Sequence, residues 1–295
     1  VGNSVTAGSF VGPIEGAVTG NVTGNVTGNS DTASGLSGNP SINTTGIITA
    51  TTLNYTGNQN LSNRNLIING AMNVAQRGTS STANDYGTVD RFELLYGGTD
   101  EAPTQSQADV ASGTTPYTLG FRKAYRATNG NQTSVASDDY MFMRTRFEAQ
   151  DIVSSGWKYN DSSSFLTISF YFKSNKSGTN KLPLQIRTFD GTAYFYIAEI
   201  TQSDTNWNRY TVKIPGNSNL QFDNNNEQGI MIRFVAFRGT DKTSSSVTLN
   251  AWGAYTNSAR MPDNTSTWYT TNDATLEMTG FQFEVGSQAT AFEHR

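Results

Sequence analysis

The chain has 295 residues, of which 15% are charged and 35% hydrophobic, with a net charge of −4 and no cysteine. It therefore contains no disulfide bond, no thiolate metal site and no cysteine nucleophile. The single histidine, His294, lies one residue from the end, which argues against a serine–histidine–aspartate triad. The small negative charge argues against a nucleic-acid partner, and the lack of any apolar run of about 18 residues against membrane insertion.

The first 63 residues are almost uncharged and contain a four-residue repeat. Glycines and branched apolar residues each recur every four positions: Gly12, Gly16, Gly20, Gly24 and Gly28, with Ile14, Val18, Val22 and Val26 between them. An even period keeps the apolar residues on one face of a strand. That stripe is too thin to stabilise a single chain, because ordering the backbone costs about 1–2 kcal/mol per residue. We expect residues 1–63 to be an extended stem of intertwined trimeric β structure; a flexible linker is the alternative.

From residue 64 onward the pattern changes to short alternating segments separated by turns. In the segment 165–173, Leu166, Ile168, Phe170 and Phe172 alternate with more polar residues, which is typical of a strand with one buried face. The same pattern predicts strands at 92–96, 182–186, 210–214, 230–236, 247–251 and 281–285, and less clearly at 122–127, 140–148 and 193–200. Many short strands without a helical period predict an all-β fold, and we expect residues 64–295 to form an antiparallel jelly-roll β-sandwich.

Two pairs of aromatic residues lie in polar segments that show no alternation. They are Trp157 with Tyr159, and Trp268 with Tyr269 in the long loop 253–275. Sugar rings stack on accessible Trp and Tyr faces, and long loops of this kind are often functional. We predict a glycan-binding surface at Trp268 and Tyr269 first, and at Trp157 and Tyr159 second. The alternative is that these rings seal the bases of loops or contact other chains.

Catalytic and metal sites have weaker support in the sequence. A glycan-degrading enzyme needs two carboxylates about 5–10 Å apart, and no such pair stands out, since most aspartates lie in turn clusters where they bind their own backbone. Oxygen-rich turns at Asp138 with Asp139, and at Asp223 with the three following asparagines, have the ligand types of calcium. A solvated turn is the simpler interpretation of both. We expect no enzymatic activity, no cofactor and no metal.

Two stretches of the sequence carry a family resemblance. One is residues 64–78 (RNLIINGAMNVAQRG), followed by 89–92 (VDRF); the other is residues 279–287 (TGFQFEVGS), followed by 291–295 (AFEHR). Together they resemble the opening and closing segments of a jelly-roll domain that is frequent in tail fibre and receptor-binding proteins of tailed bacteriophages, marine ones in particular. The Val-Thr-Gly-Asn repeat is similar to the stem repeats of such fibres.

The resemblance implies a homotrimeric virion tail fibre whose distal sandwich is similar to carbohydrate-binding modules. Its partners are then other virion tail proteins and a polysaccharide or lipopolysaccharide of the host surface, which it binds during adsorption. We therefore expect a non-enzymatic receptor-binding protein located in the virion. Two alternatives stay open: a tailspike that degrades polysaccharide, and a structural virion component, such as a connector or capsid decoration, that has no ligand.

Overall fold

The computed structural model of the chain describes residues 64–295. The predicted stem, with Ile14, Val18, Val22 and Val26, lies outside these residues, so the stem and its trimer stay predictions. The strands of the described part are β1 (Ser80–Ser81), β2 (Glu93–Gly97), β3 (Thr104–Asp109), β4 (Lys123–Thr128), β5 (Tyr140–Glu148), β6 (Phe165–Ser174), β7 (Asn180–Thr188), β8 (Tyr194–Gln202), β9 (Asn208–Pro215), β10 (Gln228–Arg238), β11 (Trp252–Ala254) and β12 (Thr275–Val285).

Helices make up little of the described part. They are α1 (Thr115–Thr118), α2 (Ala149–Ser154) and one turn of 3-10 helix (Thr240–Lys242). None of the helices in residues 64–295 has the length and apolar character that crossing a membrane requires.

The strands form two antiparallel sheets that pack face to face. The first sheet has the order β1-β3-β4-β12-β6-β9 and the second the order β11-β8-β7-β10-β5-β2. Eight of these strands, β4 to β10 and β12, form two four-stranded halves with the orders β4-β12-β6-β9 and β8-β7-β10-β5, which is the connectivity of a jelly roll. The predicted antiparallel sandwich is therefore confirmed for residues 64–295.

The core lies between the two sheets and is built by the alternation seen in the sequence. Leu166, Ile168, Phe170 and Phe172 are all buried there. Phe234 of the opposite sheet contacts Phe170 and Phe172, with ring centres 5.7 and 4.7 Å apart. Burying a side chain of this size stabilises a fold by about 1.5–3 kcal/mol, so one strand with four such residues anchors the two sheets together.

One predicted strand, 247–251, is wrong. These residues form turns, and Val247 and Leu249 instead pack against the outer face of the second sheet. The alternation of apolar residues in 247–251 therefore arises because Val247 and Leu249 contact the outer face of the sheet, and not because these residues form a strand. The sequence does not predict β3, because its residues, TQSQAD, include a single apolar residue, Ala108, and so show no alternation.

The opening and closing segments of the sandwich lie side by side. The amide of Leu66 donates to the Phe283 carbonyl over 2.7 Å, and the amide of Asn69 donates to the Arg295 carbonyl over 3.0 Å. The Asn65 side-chain oxygen accepts a bond of 3.1 Å from the amide of Phe283. The two segments that carry the family resemblance thus form one joint structure, although the bonded residues Asn65 and Phe283 are 218 positions apart.

Candidate functional site

The first predicted ring pair is buried in the core. Trp268 is 0% exposed and Tyr269 is 1% exposed. The indole N–H of Trp268 donates to the Thr275 carbonyl over 3.3 Å, and the Tyr269 ring stacks on Phe237 with ring centres 4.2 Å apart. The prediction that these rings are exposed is wrong, because the end of the loop turns inward and its two rings complete the core.

The second predicted pair has a similar position. Trp157 is 3% exposed, and Tyr159 is half-buried against the same core. Both rings pack on Phe222, at centre distances of 6.2 and 5.0 Å. A sugar stacks only on a ring face that solvent reaches, so the exposure on which all four residues were assigned to a glycan site is lacking for three of them and partial for Tyr159.

The outer face of the second sheet carries charge where four strands lie in register. Arg144 on β5 is opposite both Glu93 on β2 and Arg233 on β10. Arg233 is in turn opposite Gln185 on β7. Because alternate residues of a strand point to opposite faces, the core-facing neighbours of these residues are apolar except Thr145, while the outer row is polar.

A loop lies over part of this outer face. We call residues 239–262 the covering segment. The Gln185 side-chain amide donates to the Arg260 carbonyl over 2.8 Å, and the Asn250 amide donates to the Ile197 carbonyl over 2.8 Å. Apolar residues of the segment and of the sheet pack against each other there: Val247, Leu249, Tyr255 and Met261 with Phe142, Phe195, Ile197 and Val235. The covering segment is therefore fixed to the sheet by both hydrogen bonds and apolar contacts.

Five arginines gather where the sheet meets the covering segment, and we call them the arginine cluster: Arg144, Arg187, Arg233, Arg238 and Arg260. Four of them lie over aromatic rings. The guanidinium carbon of Arg187 is 3.8 Å from the centre of the Tyr255 ring, and that of Arg260 is 5.4 Å from the same ring. Arg233 lies 4.7 Å from Phe142, and Arg238 lies 5.0 Å from Tyr140. Cation–π contacts of this kind hold the guanidinium groups in place.

The positive charge of this cluster is only partly balanced. Glu93 pairs with Arg144 over 2.6 Å and also with Arg146 over 2.9 Å. Among residues 64–295, none of the other four cluster arginines forms an ion pair with a carboxylate. Burial, and then the charges of the other four arginines, lower the pKa of Arg233 to about 9. The folded protein thus holds a guanidinium group whose charge its surroundings disfavour.

Two grooves open beside the covering segment. One, of about 290 Å³, is lined by Phe195, Trp252, Ser246, Thr248 and Thr256, and we call it the Trp252 groove. The other, also about 290 Å³, is lined by Arg238 together with Thr240, Thr243 and Asp263, and we call it the Arg238 groove. Each groove offers side chains of the covering segment and of the second sheet to a ligand from solvent.

The carboxylates do not form a metal site in the described part of the chain. No group of three or more Asp, Glu or His residues of 64–295 is placed to hold a metal ion. Of the predicted oxygen-rich turns, Asp138 is exposed and Asp139 is buried, while the amide of Asp223 donates to the carboxylate of Asp190 over 3.1 Å. Asp138 and Asp139 therefore differ in burial, and the Asp190 carboxylate beside the second turn already accepts a bond from a backbone amide.

Comparisons with known proteins give similarity of fold only. No protein-family model matches the sequence, and no relative is found among curated proteins. Among solved structures, one titled "CBM4 structure and function" has a TM-score of 0.36 and 11% identity over 74% of this chain and 98% of that chain.

Two further structures are similar at the same level. A putative sugar-binding protein from Bacteroides thetaiotaomicron has a TM-score of 0.32 and 11% identity over 76% of this chain and 100% of that chain. A family 30 carbohydrate-binding module has a TM-score of 0.32 and 13% identity over 81% of this chain and 94% of that chain.

Proposed function

We propose that this chain is a glycan-binding protein and that its glycan lies in the Trp252 groove, where the outer face of the second sheet meets its edge strand β11. The observation that carries the proposal is that the half-buried Trp252 lines this groove together with the hydroxyl-bearing residues Ser246, Thr248 and Thr256, while the buried Phe195 forms part of its wall. Sugar rings present apolar C–H faces that stack on aromatic rings and hydroxyl groups that bind polar side chains at the rim.

The contacts of Trp252 favour this role. Its indole N–H already donates to the Pro215 carbonyl over 2.6 Å, and its ring packs on Tyr196 with centres 5.6 Å apart. The ring is therefore held at a fixed angle against the core, and Trp252 is half-buried where it lines the groove. A rigid ring loses little conformational freedom when a ligand binds.

The finer proposal concerns the assembly. We propose a non-enzymatic, homotrimeric virion tail fibre that binds host-surface polysaccharide or lipopolysaccharide during adsorption. Its support is the repeat of residues 12–28 and the two segments that resemble those of bacteriophage fibres. Three linked sites raise the effective strength of a weak glycan site when the host surface presents closely spaced sugars.

A binding assay with a matched pair of variants tests the glycan site. Full-length protein is run through native gels that contain host-surface polysaccharide, and the retardation of each variant is measured. We expect Trp252→Ala to lose retardation, while Trp207→Ala keeps it, because Trp207 is also half-buried but packs with the first sheet. Equal retardation of both variants, with both shown to be folded by circular dichroism, would exclude the Trp252 groove as the site.

A further inference from the structure

We infer that the glycan is a polyanion that bears carboxylate or sulfate groups, and that the arginine cluster binds those groups. This inference rests on the proposed function, because it assigns a chemical class to the ligand of the same sheet face. Its support is the unbalanced charge of the arginine cluster, the burial of Arg233, the unused N–H donors of the cluster and the groove that opens onto Arg238.

The cluster has more positive charge than the fold itself requires. Arg144 and Arg146 share the one carboxylate of Glu93, whereas Arg187, Arg233, Arg238 and Arg260 have no ion-pair partner within residues 64–295. In the first sheet, by contrast, the buried carboxylate of Glu277 pairs with both Arg126 and Lys173. A local excess of like charge destabilises a folded protein unless an opposite charge is supplied.

Burial increases the free-energy cost of this excess positive charge. Arg233 is only 9% exposed, and an arginine is almost never buried without a carboxylate or phosphate partner. Within residues 64–295, its one side-chain hydrogen bond runs to the neutral amide oxygen of Gln185, over 3.2 Å. A neutral acceptor satisfies one N–H group but leaves the charge unbalanced, so the fold keeps a buried cation that an anion from solvent would neutralise.

The donors of the cluster are also incompletely used. The Nε atoms of Arg187, Arg233, Arg238 and Arg260 are buried and have no hydrogen-bond partner within the described residues. A guanidinium group that stacks on a ring holds its plane fixed, and its N–H groups at the edge of that plane match the two oxygens of a carboxylate or sulfate group. Rings and arginines together therefore suit an anionic ligand better than a neutral one.

Access to the cluster comes from the Arg238 groove. Arg238 lines it together with the hydroxyl groups of Thr240 and Thr243. Asp263 is the one carboxylate among the lining residues, and its Oδ1 atom accepts a bond of 2.8 Å from the Thr243 hydroxyl. An acidic sugar residue in this groove reaches Arg238 directly, while the neutral part of the chain extends along the covering segment.

A nucleic acid is the other polyanion that an arginine-rich surface binds. The net charge of −4 opposes long-range attraction of a nucleic acid, which needs an extended basic face to neutralise many phosphates. The arginine cluster is one compact group. We therefore favour an acidic polysaccharide and include DNA as an arm of the test.

The test uses polysaccharides that differ only in charge. Full-length protein is titrated with polygalacturonate and its fully methyl-esterified form, and with dextran sulfate and dextran, at 50 and 500 mM NaCl. We expect binding to an acidic member of a pair and not to its neutral partner, with affinity that falls at the higher salt because ions screen the contact. Tighter binding to polygalacturonate would assign the ligand group as carboxylate, and tighter binding to dextran sulfate would assign it as sulfate.

Variants assign the binding to the cluster. We expect the double variant Arg187→Gln/Arg238→Gln to lose at least tenfold in affinity for the acidic polymer. Arg122→Gln is the matched control, because Arg122 lies 3.9 Å from the Tyr117 ring, much as Arg187 lies over Tyr255, but outside the cluster. Equal losses in both variants would overturn the inference.

The remaining outcomes separate this inference from the proposed function. Equal binding to charged and neutral members of a pair overturns the anionic class and leaves glycan binding intact. Binding to a neutral host polysaccharide and to no acidic one also overturns the anionic class and leaves glycan binding intact. Binding to single-stranded DNA without binding to any acidic polysaccharide overturns the inference. Failure to bind any polysaccharide, host extracts included, overturns the proposed function as well.

Discussion

Arg144 and Arg233 lie directly opposite each other on neighbouring strands, and of these two only Arg144 has a carboxylate partner in the described part of the chain. Like charges in this position destabilise a sheet. Replacing Arg233 by Met removes a buried unpaired charge and keeps most of the side-chain volume. We expect Arg233→Met to stabilise the fold by about 1–4 kcal/mol, measured as a higher melting temperature.

We expect the companion variant, Arg144→Met, to be less stable than the wild type. Arg144→Met takes a partner from Glu93, whose side chain is fully buried, and breaking such a pair costs about 3–5 kcal/mol. Because Arg146 still contacts Glu93, we expect the loss of folding free energy to lie near the lower end of this range. Thermal denaturation of both variants checks the sign, and a lower melting temperature for Arg233→Met would mean that Arg233 is stabilising where it stands.

Trp268 is a core residue in this fold, so its removal should affect stability strongly. Trp268→Ala removes a fully buried ring and its hydrogen bond to Thr275, and such substitutions cost about 3–5 kcal/mol. For a domain of this size that lowers the melting temperature by roughly 10 °C or more. Leu119→Ala is the control, because Leu119 is 58% exposed and should change little. An unchanged melting temperature for Trp268→Ala would show that the ring is not part of the core.

Asp100 should contribute stability that depends on pH. Its carboxylate accepts bonds from the amides of Ser134 and Thr133, each over 2.7 Å, and from both hydroxyl groups. The backbone bond from Ser134, followed by the side-chain bonds, lowers the pKa of Asp100 below its ordinary value of 3.8. A depressed pKa stabilises the folded protein above the ordinary value and loses that effect as the pH falls through the folded pKa.

The measurement is the melting temperature of wild type and Asp100→Asn between pH 7 and pH 2. We expect the variant to be less stable at pH 7 and the gap to close below about pH 4. Asp138→Asn, an exposed aspartate near the same loop, serves as the control for the loss of one negative charge. A gap that stays constant across the range would mean that the charge of Asp100 is not what the four donors stabilise.

The proposed trimer makes a prediction about mass. Light scattering should give three times the chain mass of 32.0 kDa. The triple variant Val18→Asp/Val22→Asp/Val26→Asp places like charges along the predicted shared axis, and burying unpaired charge costs several kcal/mol per group. We expect this variant to have the mass of one chain while the sandwich keeps its melting temperature. A trimeric mass for the triple variant would show that these valines do not line the axis.

Much of the sandwich was predictable because its core strands alternate. Ile168 and Phe170 face inward as their spacing requires, and their neighbours Thr167 and Ser169 belong to the other face. The same rule failed for Trp268 and Tyr269, because a loop that contributes rings to a core has no period to reveal it. Composition alone describes such a loop as polar and cannot show which of its side chains turns inward.

The arginine cluster could be predicted only in part. The alternation of 230–236 already assigns Arg233 to an outward position, whereas the less clear alternation of 140–148 assigns no face to Arg144. What the sequence does not contain is the register that sets these two arginines opposite each other, or the path that brings Arg260 back over the sheet. A search for arginines on the outward phase of several strands, without nearby acidic residues, would have identified two members of the cluster.

The place of β12 in the first sheet has a consequence for how the chain is made. This last strand lies between β4 and β6 and pairs with both. A ribosome adds about 5–20 residues per second from the N-terminal end, so the first sheet stays in two pieces until residues 275–285 emerge. During that interval the inner edges of β4 and β6 are unpaired templates for aggregation. The sandwich therefore closes only when its final strand is inserted, and a nascent chain released before Thr275 presents two open sheet edges instead of a folded domain.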